Sequence, residues 1–146
     1  EQEEEQGEEN HPELWQRFAE GLGLLRDNLN DSPKLKATRD LVDGYLDLTR
    51  SDFATGLGAL YAYECQTPAV AKSKIEGLKE HYGIEDERTL QFFSVHKETD
   101  EWHAADIANI INGLGKDDQD KAVQGAGRGA KLLWKFLDEM MTIHEC

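Results

Sequence analysis

The stretch FFSVHKETDEWHAADIANII carries three side chains of metal-binding type, His96, Asp100 and His103, in the pattern H-x3-D-x2-H. A helix advances about 100° per residue, so offsets of four and seven return side chains to within about 40° of one direction. Two imidazoles and one carboxylate stacked over two turns form a donor set for first-row transition metals. The plain alternative is two helix histidines, one packed in the core and one in water. A metal on this array needs further donors from facing helices. Glu64, in ALYAYECQTP, is the first candidate, because a carboxylate on a small, apolar helix is costly to bury unless it is paired or binds a cation. Its bland role is a helix-end glutamate reaching solvent before Pro68. His11 stands at the head of another helix, with Glu4 seven residues and Glu8 three residues before it. Glu4 shares a face with His11 only on a continuous helix, and Gly7 and Pro12 stand against that continuity. Spacing alone does not choose between Glu4 and Glu8, and a run of glutamates is ordinarily just a solvated surface.

These side chains need helices to hold them, and the hydrophobic pattern is helical almost throughout, with no sustained period-two alternation. Pro12 suits a first helical turn, with Asn10 or His11 before it as cap, and Leu14, Trp15, Phe18 and Leu22 mark one face as far as Gly21–Gly23. A second helix runs from about Lys36 to Thr49, striped by Leu41, Tyr45 and Leu48. Ser51 is read as the cap of a third, FATGLGALYAYECQ, whose glycines and alanines imply close helix–helix contact. Pro68 kinks or breaks this element, and a fourth helix continues to Tyr82, with Gly83 just past its end. Asp86 opens a fifth of about 25 residues, and Asp117 opens the last, through KLLWKFLDEMMTI. Gly125, Gly127 and Gly129 weaken the start of that last helix, by up to ~1 kcal/mol each against Ala, or else let a neighbour approach. The expected fold class is all-α, a bundle of about six helices joined by short loops.

Bulk composition narrows the partners. The chain has 146 residues, 38% hydrophobic and 32% charged, which is one ordinary domain or less. Thirty acidic against 16 basic side chains give a formal charge of −14, which argues against nucleic acid or an anionic membrane surface. No apolar run is long enough to span a bilayer. Cys65 and Cys146 are too few and too scattered for a disulfide framework or an all-thiolate zinc site, and a cytoplasmic compartment fits best. The acidic opening EQEEEQGEEN reads as a solvated tail or as the end of a helix begun earlier.

Other reactive residues have ordinary roles. His81 at a helix C-terminus complements the dipole. Trp15, Trp102 and Trp134 are read as core. Tyr61 and Tyr63 flank the Glu64 region, and Lys74, in AKSKIEGLKEHYG, reads as a surface lysine or a snorkelling stem.

The segments ENHPELWQRF, ALYAYECQTPAVAKSKIEGLKEHYG, FFSVHKETDEWH and LLWKFLDEM closely resemble the heme-oxygenase-like diiron oxidases. The nearest branch is that of the chlamydial protein associating with death domains and its bacterial relatives, within the wider thiaminase-II and pyrroloquinoline-quinone-synthesis superfamily. The resemblance runs from about Glu4 to Met140, and its specific part is the ordered set Glu, His, Glu, His-x3-Asp-x2-His. It implies a heme-oxygenase-like helical bundle with two central metal ions, Fe/Fe or Fe/Mn, and dioxygen as co-substrate. The six ligands it implies are Glu4, His11, Glu64, His96, Asp100 and His103, with Glu8 a substitute for Glu4. It further implies a self-sacrificing route to p-aminobenzoate for folate synthesis, in which Lys74 stands at the amine-donor position and Tyr63 at that of an active-site tyrosine. Members of the family are longer. Residues 1–146 are therefore expected to be the C-terminal two-thirds of a single domain, with the opening helices and the ring-donating tyrosine outside it.

Two rivals stand beside the diiron oxidase. One is a cofactor-independent enzyme of thiaminase-II or quinone-forming type, against which the complete donor set counts. The other is a non-enzymatic helical interaction module. A homodimer, simple or domain-swapped, is expected, and in the interaction-module reading, death-domain-binding or other, the acidic surface and an apolar patch exposed by the missing helices meet the partner or a swapped copy.

Overall fold

A computed structural model describes residues 10–30 and 35–143, apart from the side chains of residues 28, 30 and 97–101. Among the described residues the chain forms seven helices and no strand: α1 (His11–Gly21), α2 (Arg26–Asn30), α3 (Lys36–Ser51), α4 (Phe53–Glu64), α5 (Thr67–Tyr82), α6 (Glu87–Asn112) and α7 (Lys116–Ile143). None of these helices is long and apolar enough to cross a membrane.

The starts and stops come from local chemistry. The Asn10 side chain accepts the Glu13 N–H at 3.1 Å, with Pro12 in the first turn of α1. That helix stops at Gly23, whose φ of +83° is open only to a residue without a Cβ at little cost. There the N–H groups of Gly23 and Leu24 turn back to the carbonyls of Glu20 and Ala19 at 2.8 and 3.0 Å, a Schellman closure. Asp86 caps α6, accepting the Thr89 N–H at 2.9 Å. Pro68 lies in the first turn of α5, where its missing N–H costs nothing.

Two expectations about the helices need correction. Ser51 does not cap α4. It is the last residue of α3, its hydroxyl donating to the Leu48 carbonyl at 2.8 Å, and the extended Asp52 is the cap. One Asp52 oxygen accepts the Thr55 N–H at 3.0 Å and the other the Thr55 hydroxyl at 2.6 Å. The carboxylate serves the two donors with separate oxygens, while the Ser51 hydroxyl is turned back onto its own helix. Helix α2, Arg26–Asn30, lies where the hydrophobic pattern predicts no element. Five residues are too few to show an apolar period, and side-chain pairing fastens it instead: Arg26 donates to Glu13 at 2.7 and 2.8 Å and also to Glu20.

Residues 1–33 with 67–101 form one compact unit, and 34–66 with 102–146 form another. In the first, α1 packs on the opening turns of α6, and Leu14, Leu90 and Phe93 are buried. A Cβ at Gly21 would lie 2.1 Å from the Thr89 hydroxyl oxygen, which marks how closely the two helices approach. Arg17 donates to Gln91 at 3.0 Å and Arg88 to Glu20 at 3.2 Å across the same seam.

In the second unit α3, α4 and α7 pack on one another. The small residues of α4 and α7 let their backbones nearly touch. A Cβ at Gly58 would sit 1.8 Å from the Ala122 carbonyl oxygen, and one at Gly125 would sit 2.2 Å from that of Thr55. Gly127, by contrast, faces open space. Asp40 ties α3 to α7, accepting from Lys36 at 2.5 Å and Lys135 at 2.9 Å.

Trp15, Trp102 and Trp134 do not fill the core as expected; they are 51%, 48% and 67% exposed. Alanines and glycines bring the backbones of the second unit too close for an indole to fit between them. In the first unit Trp15 lies at the rim of the α1–α6 seam, where Phe92 covers its ring from one side.

Candidate metal centre

His11, at the first position of α1, and His96, on α6, come together within the first unit. Their ring centroids lie 4.7 Å apart with the planes tilted by 58°. Phe92 stands against both, at 4.3 Å from His96 and 6.3 Å from His11. The His96 Nδ1 lies 2.6 Å from the Phe92 carbonyl oxygen, one helical turn back. A carbonyl only accepts, so Nδ1 carries the proton, and in the neutral ring Nε2 presents its lone pair. This is the outer contact by which proteins fix the tautomer and ring direction of a metal-binding histidine. Two half-buried imidazoles side by side, one with Nε2 left as its accepting nitrogen, have the donor chemistry that an iron centre of nitrogen and oxygen donors uses.

The remaining candidates lie on α4, α5 and α6. Glu64 ends α4 and is half-buried, in a helix whose inner face is Ala54, Thr55, Gly56, Gly58 and Ala59. His103 is half-buried in the second unit, its ring 3.9 Å from that of Trp102. Helix α6 runs unbroken through positions 96, 100 and 103, so the continuity that the His-x3-Asp-x2-His pattern requires is present. The side chain of Asp100 lies outside the described residues, as do Glu4 and Glu8. Among the described residues, no three of His, Cys, Asp and Glu gather closely enough to hold a metal ion. The Lys74 side chain is exposed on α5.

Tyr63, next to Glu64, meets Tyr45 edge-on at 6.1 Å between ring centroids. In the sequence Tyr45 shows only as part of the α3 stripe. Its hydroxyl is buried without a hydrogen-bond partner, and burial, with Tyr63 and Cys65 nearby, pushes it up to about 12. Gly129 makes room for it: a Cβ there would be 3.1 Å from the Tyr45 oxygen. Neither this orphan hydroxyl nor the Phe92 carbonyl has a signal in the residue types: tertiary packing orphans the hydroxyl, and the Phe92 carbonyl belongs to the backbone one turn before His96. A cleft of about 370 Å³ opens between α4, α6 and α7, with Tyr61, Ile111, Asn112 and Val123 on its walls. None of the candidate ligands is among its described lining residues.

A family model described as iron-containing redox enzyme matches residues 1–134. A 4-aminobenzoate synthase of Nitrosomonas europaea is 39% identical over 145 residues, covering 97% of this chain and 58% of that protein. A 4-aminobenzoate synthase of Chlamydia pneumoniae is 37% identical over 144 residues, 97% of this chain and 64% of that protein. A pyrroloquinoline-quinone synthase of Gluconobacter oxydans is 28% identical over 130 residues, 86% of this chain and 54% of that protein. The chain thus spans about three-fifths of the length of the 4-aminobenzoate synthases it matches.

Proposed function

The chain belongs to the iron-containing redox enzyme family, and from that premise we propose that the protein is a dinuclear non-heme iron oxidase that forms 4-aminobenzoate. The metals are Fe/Fe or Fe/Mn, and dioxygen is the co-substrate. The observation that carries the reading is the His11–His96 pair, with the His96 tautomer set by the Phe92 carbonyl. The 33–39% identity to proteins named 4-aminobenzoate synthase supports the product.

When bound, the iron supplies the reduction of dioxygen and with it the oxidising power of the reaction. The protein's own residues do the rest. His11 and His96 offer imidazole nitrogens, and Glu4 or Glu8, Glu64, Asp100 and His103 complete the proposed set. Glu64, half-buried at the end of α4, offers a carboxylate of the hard-donor type that iron accepts. Tyr63, in edge contact with Tyr45, passes an electron and a proton near the metals. Lys74, exposed on α5, supplies the amine nitrogen. The proposed assembly is a homodimer, in keeping with the exposed Trp134, Leu137 and Met141 of α7. The proposed compartment is the cytoplasm, in keeping with the free, exposed Cys65.

Complementation tests the reading. The protein should rescue a strain that requires 4-aminobenzoate, and Lys74→Ala should abolish rescue without changing the iron content of the purified protein. Rescue by Lys74→Ala at the original level would remove the amine-donor role.

A further inference from the structure

One half-exposed indole lies against a candidate iron ligand, and another reaches one through an intervening phenyl ring. In the first unit Trp15 meets Phe92 at 4.5 Å between ring centroids, and Phe92 meets His96 at 4.3 Å. In the second unit Trp102 meets His103 at 3.9 Å. The third tryptophan, Trp134, is the most exposed at 67%, and among the described residues it makes no ring contact with a histidine. Indole gives up an electron far more readily than phenylalanine or imidazole. In such a series a phenyl ring can only relay an electron, whereas an indole can hold the resulting charge. Exposure sets the fate of that charge: water takes the indole proton, and a dissolved reductant can reach the ring.

We propose that Trp15 and Trp102 are redox outlets of the iron centre. Each surrenders one electron to iron that dioxygen has oxidised without a substrate to consume, Trp15 through Phe92 and Trp102 through His103. In each event the iron is reduced by one electron, the indole is oxidised by one, and the indole N–H proton goes to solvent. The product is a neutral indolyl radical at the surface, which an external thiol can repair by giving up a hydrogen atom. Oxidising equivalents then leave by a defined path instead of attacking the histidines. Trp15 also packs the α1–α6 seam, touching Phe18 at 5.3 Å, so a packing role must be separated from the electron path.

The inference rests on the proposed iron site, and the experiment keeps the two apart. Anaerobic protein is loaded with ferrous iron, its metal content is measured, and dioxygen is admitted with a nitroso spin trap and no reductant. The trap bonds to the radical through a new C–N bond and keeps the unpaired electron as a nitroxide, read by electron paramagnetic resonance and by peptide mass. The expected result is several-fold more adduct on Trp15 and Trp102 than on Trp134. Phe92→Leu, which keeps the seam apolar, should cut the Trp15 adduct several-fold and leave that on Trp102. Trp15→Tyr, which keeps an oxidisable ring, should carry adduct at position 15, whereas Trp15→Phe should not. Iron uptake and oxygen consumption with Trp134 labelled as strongly as the others would overturn the outlet proposal alone, since exposure by itself predicts that pattern. A Trp15 adduct unchanged by Phe92→Leu would overturn the Phe92 route. Failure to take up iron would overturn the iron site and the outlets together.

Discussion

Replacing Gly58 by alanine tests the geometry that holds Glu64 and Tyr63. The new Cβ would stand 1.8 Å from the Ala122 carbonyl oxygen and 2.6 Å from its carbon, and both are backbone atoms that no rotamer change can move. Ordinary contact begins near 3.4 Å, so α7 must retreat by about 1.6 Å. A retreat of that size forfeits much of the dispersion attraction along the seam. Overpacking of this kind costs about 1–3 kcal/mol, against which alanine returns at most ~1 kcal/mol of helix propensity. The expected balance is a loss of about 1–2 kcal/mol, or more if the seam cannot relax, and a fall of roughly 2–8 °C in Tm for a chain of this size. Gly127→Ala is the internal control. It lies on α7 in open space, so it should gain about 0.5–1 kcal/mol and raise Tm by about 1–4 °C. Thermal and urea unfolding, monitored by circular dichroism, read both variants. Opposite signs are required, and a Gly58→Ala variant as stable as Gly127→Ala would refute the close approach of α4 and α7.

Side chains in the second unit and on α6 give three further outcomes. Lys36 and Lys135 hydrogen-bond Asp40 and hold its carboxyl down at about 2. Its contribution to stability is therefore complete above the ordinary carboxylate range and lost as pH falls toward about 2. Asp40→Asn should be less stable at neutral pH, and the gap to the parent protein should close in urea titrations as the acid limit is approached. Tyr45→Phe removes a buried hydroxyl that has no partner, so stability should hold or rise, by up to about 1 kcal/mol; a loss above that would mean the hydroxyl is satisfied. Phe92→Leu should leave iron affinity nearly intact, because the contact to His96 Nδ1 is a backbone carbonyl that any residue supplies. A loss as large as that of His96→Ala, measured by metal-binding titration, would show that the aromatic ring itself holds the ligand.

Much of the architecture is legible in the sequence because its signals are local. Pro12, Gly23, Gly83 and the caps Asn10 and Asp86 mark helix ends through groups only a few residues away. The glycines of α4 and α7 also announce close approach, and Gly58, Gly125 and Gly129 show it, while Gly127 does not, since composition cannot tell which side of a helix meets a neighbour. Ser51 reads as a cap because hydroxyl and carboxylate are both good capping groups, and only the fold, which turns the Ser51 hydroxyl back onto its own helix, decides between adjacent residues. The tryptophans mislead because an indole is large enough to be counted as core wherever an apolar stripe runs, while alanine and glycine interiors leave no room for it. For the site, the spacing on α6 is readable, since it needs only a continuous helix. The pairing of His11 with His96 is not, because 85 residues separate them and only the fold brings them together. The Phe92 carbonyl that orients His96 belongs to the backbone, so no residue type could announce it.

His11 and His96 are proposed to belong to an iron site. Its most direct test is the iron content of the protein loaded anaerobically with ferrous iron and freed of excess, beside the His96→Ala variant. Two irons per chain are expected in the parent protein and a clear loss in the variant, with helix content unchanged. Less than one iron per chain, unaffected by His96→Ala, would contradict it.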